Sequence, residues 1–461
     1  MRVRTLSKVA IAAVAVGMLA SCATGSNQTA DDDIKYDRDA TLSGNLQVMG
    51  FGGVDEIATT RYDLATKALG DGVTVKLIEG DLDMQQFLSA VAAGDPPALV
   101  YANRDQIGSL AARGAIMPLD KCIEGEDIGT DQYLEAALDQ VTFDGKVYGI
   151  PEFNTVQLTM ANADLLSAAG LTIDDVNGSD WDAVTKAAEA MMKNDGGKLS
   201  VIGVDTKLPE FFPLWAKSNG VDLISEDGRT AQLNDPKAVE ALEFAVGIYD
   251  LQGGFSAVKA YRDSADFFGG GNQYATNVLG SMWMEQWYIN VLNDVSPDAP
   301  MAFDTFHSKD GESLAYASGS AWAIPAGSNE TAPAACRFAR VMTEVDSWVA
   351  AAQARLDLRN ADGKPFTGVL TGNADADEKI REMVTTGGEP WDTGVKKMYE
   401  ANDNTFSLPA NPADAEFKTA WQDAVNRVLN GQEDPQTALD KAQDEAQKAL
   451  DAAWKKMENG K

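Results

Sequence analysis

Leu46-Gln47-Val48-Met49-Gly50-Phe51, broken by Gly52-Gly53 and followed by a helical pattern over residues 56–69 and by Val73-Thr74-Val75-Lys76-Leu77-Ile78, decides the fold. The outer segments alternate like strands and the middle one repeats with a helical period. Two strands joined through a helix by short turns form a parallel pair, since a parallel connection needs a crossover of about a dozen residues or more. The same alternation continues outward. A helix over residues 84–93, with Phe87, Leu88 and Val91 on one face, stops at Gly94-Asp95-Pro96-Pro97, and Ala98-Leu99-Val100-Tyr101 is the next strand. A further helix ends near Gly114, so the first part of the chain is an α/β lobe.

With 461 residues, the chain is long enough for two such lobes. Asp and Glu number 70 against 38 Lys and Arg, a formal charge of −32 that repels phosphate backbones and excludes nucleic acid as a partner. His307 is the single histidine, which leaves no material for a histidine triad or a multi-histidine zinc site. No glycine-rich loop is followed by Lys-Ser or Lys-Thr, so nothing cradles a nucleotide, and neither metal nor cofactor is expected. Asn373, Asp375 and Asp377 alternate oxygen side chains but lack the central glycine and terminal glutamate of a calcium loop, and a solvated role is expected for them.

The N-terminus carries Arg2 and Arg4, then an apolar run from Val9 to Leu19. That run is shorter than the roughly 20 residues a helix needs to span a bilayer, and it reads as a secretory signal over residues 1–21. Leu19-Ala20-Ser21-Cys22 resembles a bacterial lipobox, which implies lipidation of Cys22 and tethering to the membrane from its extracytoplasmic side. Residues 22–43, rich in Ser, Thr, Asn and Asp, then read as a flexible stalk. Cys122 and Cys336 remain, either as a disulfide or as two separate buried thiols.

Several blocks together resemble the family 1 extracellular solute-binding proteins, the maltose-binding-like receptors of carbohydrate ABC importers. They are Ala92-Ala93-Gly94-Asp95-Pro96-Pro97, Gly114–Leu119, Phe143–Pro151, Trp181–Met192, Phe211–Trp215, Asn234–Leu242, Gly280–Trp287 and Ser318–Pro325, in this order. The resemblance implies a two-lobed periplasmic-binding-protein-like fold of type II, each lobe a central β-sheet flanked by helices. It places residues 44–149 and about 312–368 in the N-terminal lobe, and residues 150–311 and about 369–461 in the C-terminal lobe. It also implies a monomeric, non-enzymatic receptor whose partners are a carbohydrate and the importer's transmembrane subunits. The family's double glycine is here Ala317-Ser318-Gly319, and residues 366–392 have no counterpart.

A sugar presents hydroxyls to planar polar groups and a C–H face to aromatic rings. Trp287 stands where the resemblance implies stacking against a ring, with Glu285 two residues before it, and Trp215 is a second candidate platform. Turns after parallel strands supply Phe51, Asp55 and Glu56, and Asn103, Arg104 and Asp105, although acids there also cap helices. Glu152 and Asn154 flank the expected crossing at Pro151, Trp322 lies on the returning strand, and Arg355 follows Trp348 on a helix. The rivals are a lipid-anchored glycoside hydrolase using Glu152 and Glu285, and a receptor of the same fold for a cationic peptide or polyamine.

Overall fold

The computed structural model describes residues 34–53 and 55–460. The expected signal peptide and Cys22 lie outside the described residues. Ten strands build two five-stranded sheets: β1 (Gly44–Met49), β2 (Val73–Ile78), β3 (Leu99–Asn103), β4 (Ile150–Thr155), β5 (Gln157–Asn162), β6 (Lys193–Asp195), β7 (Lys198–Asp205), β8 (Leu279–Glu285), β9 (Met301–Thr305) and β10 (Ser318–Ala323). The first sheet has the order β2-β1-β3-β10-β4 and the second β9-β5-β8-β7-β6. Strands β1, β2 and β3 are parallel, as the crossover pattern requires, and β10 returns antiparallel between β3 and β4.

The helices that matter for the site are α1 (Glu56–Leu69), α2 (Met84–Ala93), α3 (Ile107–Ala112), α4 (Trp287–Val295), α5 (Ala332–Thr343), α6 (Val345–Ala361), α7 (Ala374–Met383), α8 (Asp414–Leu429) and α9 (Pro435–Gly460). Helix α1 starts where Asp55 accepts a hydrogen bond from the Ala58 amide, and it buries Ile57, Ala58, Ala65 and Leu69. Helix α9 buries Leu439, Ala442, Ala446 and Leu450 at helical spacing, packing this stripe into the second lobe. Cys122 and Cys336 form a disulfide with Cα atoms 5.8 Å apart, tying α5 to the segment after β3.

Four expectations need correction. Residues 34–43 are no stalk: Ile34, Tyr36 and Leu42 pack on the first core, and the Arg337 guanidinium donates to the carbonyls of Asp37 and Ala40. The chain leaves the first sheet at Val156 rather than at residue 150, because Ile150–Thr155 pairs with β10. It does not pass wholly into the second lobe near residue 369: Leu370 reaches that lobe's core, but Phe366, Val369, Ala376 and Ile380 share a core with Ile57 and Trp348. Residues 366–383 therefore thicken the first lobe through α7. Asn373 and Asp377 are buried there, not solvated. Asn373 caps α7, and Asp377 accepts from the Thr371 amide and the Asn402 side chain.

Candidate functional site at the meeting edges of two sheets

Strand register shows how the lobes face each other. In the first sheet, Met49 aligns with Val100, Asn103 with Ser320, and Ser318 with Thr155, so the ends of β1, β3 and β4 share one edge with the start of β10. In the second, Glu285 aligns with Gln157, Thr305 with Leu158, and Met282 with Asp205, which gathers the ends of β7, β8 and β9 with the start of β5. Thr155 and Gln157 are separated by Val156 alone. The two edges therefore oppose one another across this crossing, the place where parallel-type sheets leave their turns free for ligands. Gln286 pins this crossing: its amide donates to the Val156 carbonyl at 2.9 Å, and its side chain bonds the Val156 amide and the Asn154 carbonyl.

On the first-lobe side, Phe51 is buried against Tyr101 and Trp322, with ring centroids 5.4 and 5.1 Å away. Asp55 uses one oxygen to cap α1 and receives the Arg355 guanidinium on the other at 2.8 Å, and Arg355 also pairs with Glu56. Asn103 is exposed at the strand end. Arg104 turns inward, donating to Gln140 at 2.9 Å, the Phe153 carbonyl at 3.0 Å and Asn154 at 2.6 Å. Burial lowers its pKa to about 10, so it stays cationic at neutral pH. Asp105 meets Lys418 of α8 at 2.5 Å, an ion pair joining the two lobes. Its other oxygen, Oδ1, is buried with no hydrogen-bond partner.

The second-lobe side is built after β7 and β8. Asp205 is buried; desolvation opposes its charge, but Arg262 at 3.0 Å, Lys207 and the Tyr249 hydroxyl hold its pKa below the ordinary value. It also accepts from the Lys207 amide, fixing that residue at φ 54. Glu285, half-buried at the end of β8, is raised by desolvation and by Glu210, while Lys207 lowers it. Trp287 opens α4 and is half-buried, its ring nearly parallel to that of Phe268 at 6.2 Å and edge-on to Phe267 at 6.4 Å.

The remaining candidates are interior. Trp215 is wholly buried, donating to the Thr206 carbonyl at 3.0 Å and meeting Trp283 edge-on at 4.6 Å. Trp322 is wholly buried among Phe51, Tyr101 and Phe338. Glu152 is buried with one oxygen on Arg61 and the other on the Tyr101 hydroxyl. Asn154 is taken up by Arg104 and Asn402. The structure thus brings Asp55 to Arg355 and Arg104 to Asn154, and it leaves Asn103, Asp105, Glu285 and Trp287 at the facing edges. Sequence reasoning missed Lys207, Glu210, Phe268 and Lys418. Phe267-Phe268 ahead of Gly269-Gly270-Gly271 was the one local signal, an aromatic pair beside a turn.

Two α/β lobes whose sheet edges face each other across a pinned crossing have the architecture of proteins that hold a ligand between hinged domains. The chain belongs to the bacterial extracellular solute-binding proteins: the family profile of that description matches residues 63–361. A binding protein of Brucella abortus is 26% identical over 193 residues, 40% of this chain and 45% of its own length. The arabinooligosaccharide-binding protein of Halalkalibacterium halodurans is 25% identical over 176 residues, 36% of each chain. The chain thus matches less than half the length of these curated relatives. Among solved structures, the mannobiose-bound CpMnBP1 superposes with a TM-score of 0.68 at 21% identity, covering 88% of this chain and all of that one, and it shares the two-lobed type II fold. No described helix is long and apolar enough to cross a membrane.

Proposed function

We propose that this protein is an extracytoplasmic receptor that captures a carbohydrate, an oligosaccharide, between its closing lobes and delivers it to an ABC importer without altering it. The observation that carries this reading is the half-buried Trp287 ring at the edge of the second sheet that opposes the first. An aromatic face is what a sugar's C–H face complements. The solved relative bound to mannobiose and the curated arabinooligosaccharide-binding relative support a saccharide. Ligand touching both edges favours the closed arrangement by its differential affinity for it. A hydrolase is disfavoured because the Glu152 carboxylate is occupied by Arg61 and Tyr101 and cannot partner Glu285 across a glycosidic bond. The mature protein is a monomer tethered through lipidated Cys22.

Titration calorimetry across neutral oligosaccharides, amino acids, peptides and spermidine tests the ligand class. Saccharide binding that Trp287→Ala weakens by about tenfold or more supports it. Binding of amino acids, peptides or spermidine with no saccharide signal overturns it, and turnover of an oligosaccharide overturns the non-enzymatic reading. Cys22→Ala should move the protein from the membrane fraction to the medium or periplasm.

A further inference from the structure

Phe268 is 66% exposed, more than the other large exposed apolar side chains among the described residues, Leu251 at 37% and Leu358 at 47%. It is held there. The preceding Phe267 stacks on Tyr288 with centroids 4.2 Å apart and planes 9° from parallel, and the Tyr288 hydroxyl donates to the Phe267 carbonyl at 2.8 Å. On the far side of the Gly269–Gly271 turn, buried Asn272 donates to the Gly269 carbonyl at 2.9 Å and to Ser296 at 2.6 Å, and accepts from the amides of Tyr274 and Ala275. A turn wired at both ends holds the ring edge-on to Phe267, with centroids 5.0 Å apart, while leaving most of it in water. The exposed ring lies within 14° of parallel to Trp287, the residue at the candidate site.

We infer that Phe268 is a second aromatic contact for the ligand beside Trp287, that the ligand therefore spans more than one sugar ring, and that Phe268 sets the preference for longer chains. This rests on the saccharide reading of the Trp287 site. A monosaccharide occupying Trp287 leaves Phe268 in water, whereas the next ring of a chain covers it. Aromatic contacts of this kind carry roughly a three- to tenfold effect on affinity.

The test is calorimetry of the full mature protein with a homologous series of mono-, di-, tri- and tetrasaccharides of the sugar that binds, comparing wild type, Phe268→Ala, Phe268→Tyr and the exposed control Leu358→Ala. The expected result is a loss in Phe268→Ala that grows from none at the shortest bound chain to about three- to tenfold at longer ones. Phe268→Tyr should restore affinity and Leu358→Ala should match wild type. An equal loss at every chain length, or no loss at any, overturns the inference while leaving the saccharide reading intact. Failure of wild type to bind any saccharide overturns both, so the two failures are distinguished by which protein shows them. Since Phe268 is exposed, the unliganded melting temperature should not move, and a fall would show that the ring serves the fold instead.

Discussion

Glu152 stands beside the interlobe crossing and has the chemistry of a sugar ligand, yet its surroundings assign it to the fold. One oxygen pairs with Arg61, which is itself 3% exposed, and the other accepts from Tyr101. Desolvation first, and then the Glu152 charge, raise the Tyr101 pKa well above its ordinary value, so the phenol stays protonated and donates. Arg61 also donates to the carbonyls of Ile57 and Met342 at 3.1 and 3.0 Å and lies 3.6 Å over the Trp348 ring. Glu152→Gln keeps the shape but strands a buried guanidinium, which costs about 3–5 kcal/mol. With a denaturant slope near 2 kcal/mol per molar, the urea midpoint of the first lobe should fall by roughly 2 M. In Arg61→Met/Glu152→Leu the stranded charge is gone. That variant should recover most of the loss, short of about 1–3 kcal/mol for the unpaired Tyr101 hydroxyl. Saccharide affinity should stay within about twofold in every folded variant, since no oxygen of Glu152 is free for ligand. Far-ultraviolet circular dichroism in urea gives the stability and calorimetry the affinity. A Glu152→Gln protein of unchanged stability and lost binding would refute the reasoning and make Glu152 a ligand contact.

Gly108 of α3 sits against the second lobe, where an added Cβ would fall 2.4 Å from Asp414 Oδ2 and 2.5 Å from the Asn411 carbonyl; Gly108→Val should therefore wedge the lobes apart at about 1–3 kcal/mol, enlarging the radius of gyration in small-angle scattering and weakening ligand binding. An unchanged scattering profile would count against the direct contact of α3 with Asp414. Replacing Cys122 and Cys336 by serine opens a link across 214 residues and should cost roughly 2–5 kcal/mol, visible as a lower melting temperature that dithiothreitol reproduces in wild type but not in the variant. Burial alone would raise the Asp304 carboxyl, but hydrogen bonds from His307 and Asn177 and Lys397 at 2.9 Å hold it well below the carboxylate range. A depressed folded pKa contributes stability above the unfolded value near about 4 and loses it as pH falls through the folded one, so Asp304→Asn should flatten the acid limb of the stability–pH curve. If both proteins share the same acid limb, the assignment fails.

What the sequence discloses is local, and this fold is disclosed well where it is local. The alternation of Leu46–Phe51 and Val73–Ile78 with a helix between becomes β1, α1 and β2 because period and length leave little choice, and Asp55 ahead of that helix caps it. The two-lobed order is legible because the motif blocks, some on strands and some on helices, follow one another in a fixed order along the chain. The burial of Trp322 was not legible, because the central strands of such sheets are covered on both faces and an aromatic near a strand end looks alike whether it faces a core or a cleft; Trp215, on the helix Phe212–Ser218, is covered by Trp181, Trp283 and Phe306, all distant from it in sequence. Glu152 misleads for a related reason: Arg61 lies 91 residues earlier and nothing near Pro151 announces it. The crossing itself was misplaced because Ile150–Thr155 reads as a strand without saying which sheet it joins.

The same limit bears on how the protein closes. Asp105 and Lys418 are 313 residues apart and belong to opposite lobes, so neither reads as half of a pair, and each is a plausible surface charge alone. Once paired, they join the lobes beside a buried Asp105 oxygen that has no partner. With side chains 29% and 44% exposed, the pair is worth at most about 1 kcal/mol, too little to hold the lobes shut against the cost of ordering them. A ligand hydroxyl donating to the free oxygen would add to the same carboxylate without breaking the ion pair, so binding and closure draw on one group. Lys418→Ala should therefore weaken ligand binding by only a few-fold, whereas Asp105→Ala, which removes the acceptor together with the pair, should weaken it by clearly more; calorimetry giving equal losses would mean that Asp105 serves closure alone.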